Sequence, residues 1–183
     1  MTIWKKALIK AWRKVSRSSN NLSSSENNSV TSKTPKLTIE LVPKSCWYSN
    51  VRSEVSRSKW DKIRKKSYKA AGYKCEICGD TGKNQGYNHP VECHEIWEYN
   101  DQEYTQTLIG FISLCPNCHL TKHPGLAGIR GKLEIVFNQL MKVNGMTRGE
   151  AEDYLAVQSR IWNERSEHQW ELDVSYIEEF LSE

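Results

Sequence analysis

The spacing of apolar residues changes character several times along this chain. In the first 17 residues, Trp4, Leu8, Trp12 and Val15 share one face of a helix, while Lys5, Lys6, Lys10, Arg13, Lys14 and Arg17 fill the rest. A Ser- and Asn-rich stretch over 18–34 reads as a flexible linker, so the folded part begins near Leu37. Leu37–Val42 alternates like a short strand ended by Pro43. Ser58–Ala71 reads as a helix, with Ser58 as cap and Asp61 three residues on. Trp60, Ile63, Ser67 and Ala71 lie on one side, and Gly72 is the stop. Lys59, Lys62, Lys65, Lys66 and Lys69 form its other side, either a solvated face or a DNA contact.

Beyond a loop that ends at Pro90, Val91–Trp97 and Leu108–Leu114 read as strands separated by a polar, acidic segment reaching Gln106. Cys115 opens a helix with Pro116 in its first turn, ending by Pro124–Gly125. Helices are expected over Gly131–Val143 and Arg148–Glu167, the second with a Thr147/Glu150 capping box after an Asn144–Gly145 turn. A last short helix should start at Asp173 and run through Leu181. The chain thus divides into residues 1–36, a basic amphipathic helix with its linker, and one folded domain over 37–183. The core of that domain falls over 58–125 and its C-terminal helices over 131–183.

Charge adds polarity to this plan. Residues 1–36 and residues 37–74 each carry +7, and residues 75–183 carry −10. Any grip on a phosphate backbone should therefore come from the front half and from bound cations. No apolar run approaches the ~20 residues of a membrane span. The charged start of the chain lacks the uninterrupted apolar stretch of a secretory signal. The N-terminal helix could still touch a membrane surface, serve in targeting or meet nucleic acid.

The cysteines carry the strongest chemistry. Cys75/Cys78 and Cys115/Cys118 form two C-x-x-C pairs, the spacing of a closed four-thiolate zinc site rather than of a disulfide framework. That choice also implies a reducing, cytoplasmic compartment. Cys46 and Cys93 are left over, Cys46 as an ordinary buried or free thiol. His119 and His123 stand four apart, on one face of a helix. Cys118 and His119 are adjacent, about 100° apart around that helix, so one helix can address two metals. His94, on the preceding strand, completes three imidazoles and leaves positions open for water and phosphate. Alternatively, His119 and His123 are only surface residues at a helix end.

Four segments together resemble the zinc-containing branch of the HNH nuclease superfamily: Trp60-Asp-Lys-Ile-Arg64, Tyr73-Lys-Cys-Glu-Ile-Cys-Gly79, Val91-Glu-Cys-His-Glu-Ile96 and Leu114-Cys-Pro-Asn-Cys-His119 with His123. The resemblance spans residues 58–125. It implies an α+β protein with a ββα-metal, treble-clef-like core, a four-cysteine zinc site and flanking helices. It further implies a DNA endonuclease in a bacterial or phage-like setting. Structural Zn2+ would sit on Cys75, Cys78, Cys115 and Cys118, and a second divalent cation (Zn2+, Ni2+, Mn2+ or Mg2+) on His94, His119 and His123. No small-molecule cofactor is implied, and the oligomeric state is left open.

The pattern departs from the family at two places. The position after the first ligand histidine, a histidine general base in the colicin-like arrangement, is Glu95. In the other register His94 is the base and Cys93 or Glu92 faces the metal. The first register needs a bulge or a strand end, because neighbouring strand residues point to opposite faces. The family's middle asparagine is replaced by Gly110, and Asn117 lies inside the zinc knuckle. The rival reading is a catalytically inactive zinc module that binds DNA or protein.

Overall fold

The computed structural model describes residues 34–182, so the expected N-terminal helix and its linker up to residue 33 lie outside the described residues. The protein is mixed α+β, with seven α-helices and a three-stranded sheet among the described residues. Helix α1 (Val51–Glu54) is one turn capped reciprocally by Asn50 and Ser53. Helix α2 (Arg57–Ala70) is capped two residues earlier than expected, by Ser56 instead of Ser58. Ser56 accepts from the Lys59 amide at 3.2 Å, while Asp61 is engaged by Arg64 at 2.7 Å.

Strands β1 (Glu92–Asn100) and β2 (Thr105–Leu114) form an antiparallel hairpin, longer than the apolar pattern suggested. Only Asp101–Tyr104 remain as the turn, and Gln106, read as part of the polar segment, is fully buried within β2. Cross-strand pairing, not local hydrophobicity, sets these ends. Strand β3 (Glu171–Asp173) pairs parallel to β2, giving the order β1-β2-β3 and leaving one edge of β1 free. This third strand corrects the reading of Asp173 as a helix start: its carboxylate accepts from Ser175, and helix α7 spans Tyr176–Ser182.

The remaining helices are α3 (Pro116–Lys122), α4 (Pro124–Ile129), α5 (Leu133–Asn144) and α6 (Arg148–Arg165). Thr147 and Glu150 form the expected capping box on α6. Leu37–Val42 is not a strand. Leu37 and Ile39 are buried, but this segment crosses helices, so its backbone is satisfied by them. The Asn144 amide bonds both Leu37 N and Leu37 O at 2.9 Å, Tyr154 takes Ile39 N at 3.2 Å, and Glu40 N reaches Lys122 O at 3.2 Å. Alternating burial needs no sheet when neighbouring helices supply the hydrogen bonds.

Two apolar clusters hold these parts together. Leu37, Leu114, Ala127, Val136, Leu140 and Leu155 pack around three of the zinc-type cysteines. Val51, Ile63, Cys93, Trp97, Leu108 and Ile177 join α1, α2, the hairpin and α7. Helix α7 also engages the lysine face of α2: Lys59 pairs with Glu178, and Lys66 donates to Phe180 O at 2.5 Å. Lys62, Lys65 and Lys69 stay exposed. Among the described residues, no helix is long and apolar enough to cross a membrane.

Candidate metal centres

The first knuckle is a tight turn in which Gly79 N bonds Cys75 O at 2.8 Å and Cys75 N bonds Asp80 O at 3.0 Å. Gly79 closes it at φ +76°, a conformation that strains any residue with a Cβ. The loop after it lies against α3 so closely that a Cβ on Gly82 would fall 2.3 Å from His89 O and 2.8 Å from Pro116 Cδ. Cys115 caps α3, Pro116 occupies its first turn, and Cys118 follows inside it. These two turns bring the sulfurs of Cys75, Cys78, Cys115 and Cys118 within 4.8 Å of one another.

The sulfur chemistry fits a metal. Cys78 and Cys115 sulfurs lie 3.6 Å apart, close to the edge of a tetrahedron with Zn–S bonds of ~2.3 Å. Gln139, 5% exposed, donates to Cys118 Sγ at 3.0 Å, a bond suited to a thiolate. Hydrogen bonds from Cys115 and Cys118 pull the Cys75 thiol down, whereas burial pushes Cys78 up to about 12. Cys46 and Cys93 are not part of this group: Cys46 contacts Trp170 O, and Cys93 sits in the α2–α7 cluster, its thiol pushed up to about 12 by burial.

On the other side of α3 lie the imidazoles. One ring nitrogen each from His94, His119 and His123 falls within 4.8 Å of the others, and the ring centroids are 4.9–5.3 Å apart. His119 belongs to α3, but His123 is the junction residue between α3 and α4, not part of a continuous helix. The adjacency of Cys118 and His119 has the expected effect, one entering the sulfur group and the other the imidazole group.

Carboxylates hold these rings from behind. Glu40 Oε2 lies 2.7 Å from His94 Nε2, and Glu92 bonds His119 Nδ1 through one oxygen and His89 Nε2 at 2.9 Å through the other. Burial drives His94 well below its ordinary pKa, with the charge of His119 adding to it. Burial likewise takes His123 to about 3, and it raises the Glu40 carboxyl. His94 is therefore neutral and donates from Nε2 to Glu40. Its Nδ1 is buried and has no hydrogen-bond partner among the described residues. An orphaned acceptor facing two more imidazoles is what a cation would satisfy, and a carboxylate behind each of His94 and His119 fixes the ligating tautomer. The four cysteines and the three histidines could thus each hold a metal ion, the first group in keeping with zinc.

Glu40 was not among the expected site residues, and Glu92, expected to face the metal only in the alternative register, instead bonds His119 and His89. Glu92 had a signal, since it shares a strand face with His94 two residues away. Glu40 had none, being 54 residues distant in sequence. Glu40→Ala is expected to weaken binding of a cation at the imidazoles about 10- to 100-fold while leaving the thiolate zinc in place. Chelator competition measures this, and an unchanged affinity would show that Glu40 does not orient His94.

Glu95 accepts from Val51 N at 3.1 Å, and burial raises its carboxyl above the usual range. The pairing of β1 with β2 is regular from Glu92 to Ile96, and the irregularity falls between Ile96 and Trp97. No bulge separates His94 from Glu95. Both nevertheless line one cleft, with His119 and His123. Gly110 pairs with Ile96 and brings no polar side chain there. The chain matches no family model, no curated protein and no solved structure.

Proposed function

We propose that this protein is a metal-dependent endonuclease of the HNH type, hydrolysing phosphodiester bonds in DNA through a ββα-metal core formed by β1, β2 and α3. The observation that carries the reading is the His94 Nδ1 atom, buried and unpartnered among the described residues, beside His119 and His123. His94, His119 and His123 would hold a divalent cation, and Cys75, Cys78, Cys115 and Cys118 a structural zinc. A cation held there would supply Lewis-acid stabilisation of the negative charge that develops during phosphodiester hydrolysis. Three nitrogens suit zinc, nickel or manganese better than magnesium.

Glu95 is assigned the base. Its raised carboxyl makes it a stronger proton acceptor than an exposed glutamate, while the Val51 amide orients it. Water attacks phosphorus and gives its proton to Glu95 as the P–O3′ bond breaks, leaving a 5′-phosphate and a 3′-oxygen that is protonated from solvent. His94 as base is disfavoured by its geometry, because Nε2 is committed to Glu40 and the ring is 2% exposed. Exposed Lys62, Lys65 and Lys69 on α2 would meet the DNA backbone.

Gly110, where the family has asparagine, favours one other reading, a zinc module that binds DNA or protein without cutting it. Plasmid DNA decides between them. Cleavage by the purified chain that stops with EDTA and returns with added cation supports the nuclease. Intact plasmid across magnesium, manganese, nickel and zinc would leave the inert module.

A further inference from the structure

We propose that the cleft beside the three imidazoles is a pocket for one unstacked nucleobase, so that the preferred substrate is DNA carrying an unpaired nucleotide next to the scissile phosphate. This rests on the nuclease reading and narrows its substrate. The cleft is about 660 Å³, and Trp47, Tyr48, Trp60 and Trp97 line it together with the histidines and Glu95. Tyr48 is 81% exposed, leaving a flat aromatic face open at the rim. Aromatic walls of this kind attract any base through its π-face, but a base stacked within a duplex cannot enter them.

The floor supplies the second observation. Gln106 lines the cleft, is fully buried, and neither its Nε2 nor its Oε1 has a hydrogen-bond partner among the described residues. A buried amide with both donor and acceptor unused is a poor packing residue and a good reader of a base edge that presents an acceptor beside a donor. Arg52, exposed at the rim, is placed for a flanking phosphate. The cleft therefore combines stacking surface, an edge-reading amide and the convergence of imidazoles that would hold a cation.

The test is binding of fluorescein-labelled DNA by the full zinc-loaded chain, read by anisotropy, with His119→Ala present to prevent cutting. A duplex with one central unpaired nucleotide should bind about 10-fold more tightly than the same duplex fully paired. Tyr48→Ala should remove most of that preference and Tyr48→Phe should keep it, both without altering the paired duplex. Gln106→Leu should flatten discrimination among the four unpaired bases. Equal affinities for the two duplexes would overturn the pocket and leave the cleft to another occupant, the chain's own residues 1–33 included. An unchanged base preference in Gln106→Leu would likewise overturn it, assigning that amide to water. Equal affinities beside efficient plasmid cutting would sink the pocket alone; a strong preference for the unpaired nucleotide without cutting would sink the nuclease and keep the pocket.

Discussion

Cys115→Ser is expected to leave a chain that holds no zinc at the thiolates and shows no cooperative thermal unfolding. Structural zinc contributes on the order of 10 kcal/mol of apparent folding free energy, as much as the whole net stability of many domains. Here the effect should be large because the sulfurs are not at the surface. Cys75, Cys115 and Cys118 belong to the same buried cluster as Leu114, Val136 and Leu140, so losing the ion opens the core that joins α3, α5 and α6. Zinc content by mass spectrometry under native conditions, read beside circular dichroism on heating, checks it. An unchanged zinc content relative to the parent chain together with an unshifted transition would show that Cys115 neither holds the ion nor supports the fold.

The second large effect concerns the imidazoles. His119→Ala should reduce plasmid cleavage about a thousand-fold or more, since metal stabilisation of the transition state is worth several kcal/mol and each 1.4 kcal/mol is a factor of ten. The same variant should keep the thiolate zinc and a native circular dichroism spectrum, because the His119 side chain is partly exposed and lies outside both apolar clusters. Loss of both metals would mean that His119 serves the fold. Retained cleavage would remove the imidazoles from the chemistry.

Much of this arrangement could be read before any coordinates. The C-x-x-C pairs and the Cys118–His119 adjacency depend on local spacing, and local spacing survives folding, so the two side-chain groups form where the motifs put them. Capping chemistry is equally local, which is why the start of α6 follows from Thr147 and Glu150. Failures cluster where distant partners decide. Leu37–Val42 has the alternation of a strand, but Asn144, Tyr154 and Lys122 take up its backbone. Strand β3 is three residues of ordinary sequence, Glu-Leu-Asp, that exist as a strand only because β2 offers an open edge. Glu40 illustrates the same limit within the site: nothing about a glutamate in an apolar stretch announces that it will face His94.

The extended segment that begins the described fold carries a consequence for anyone trimming this chain. A shortened version starting at Leu41 would keep every cysteine and histidine of both groups, yet it would lack the carboxylate behind His94 and the Leu37 and Ile39 side chains that seal the helices over α3. Such a protein should capture zinc in its thiols and still fail to seat the second ion, giving a folded form with its chemistry disarmed.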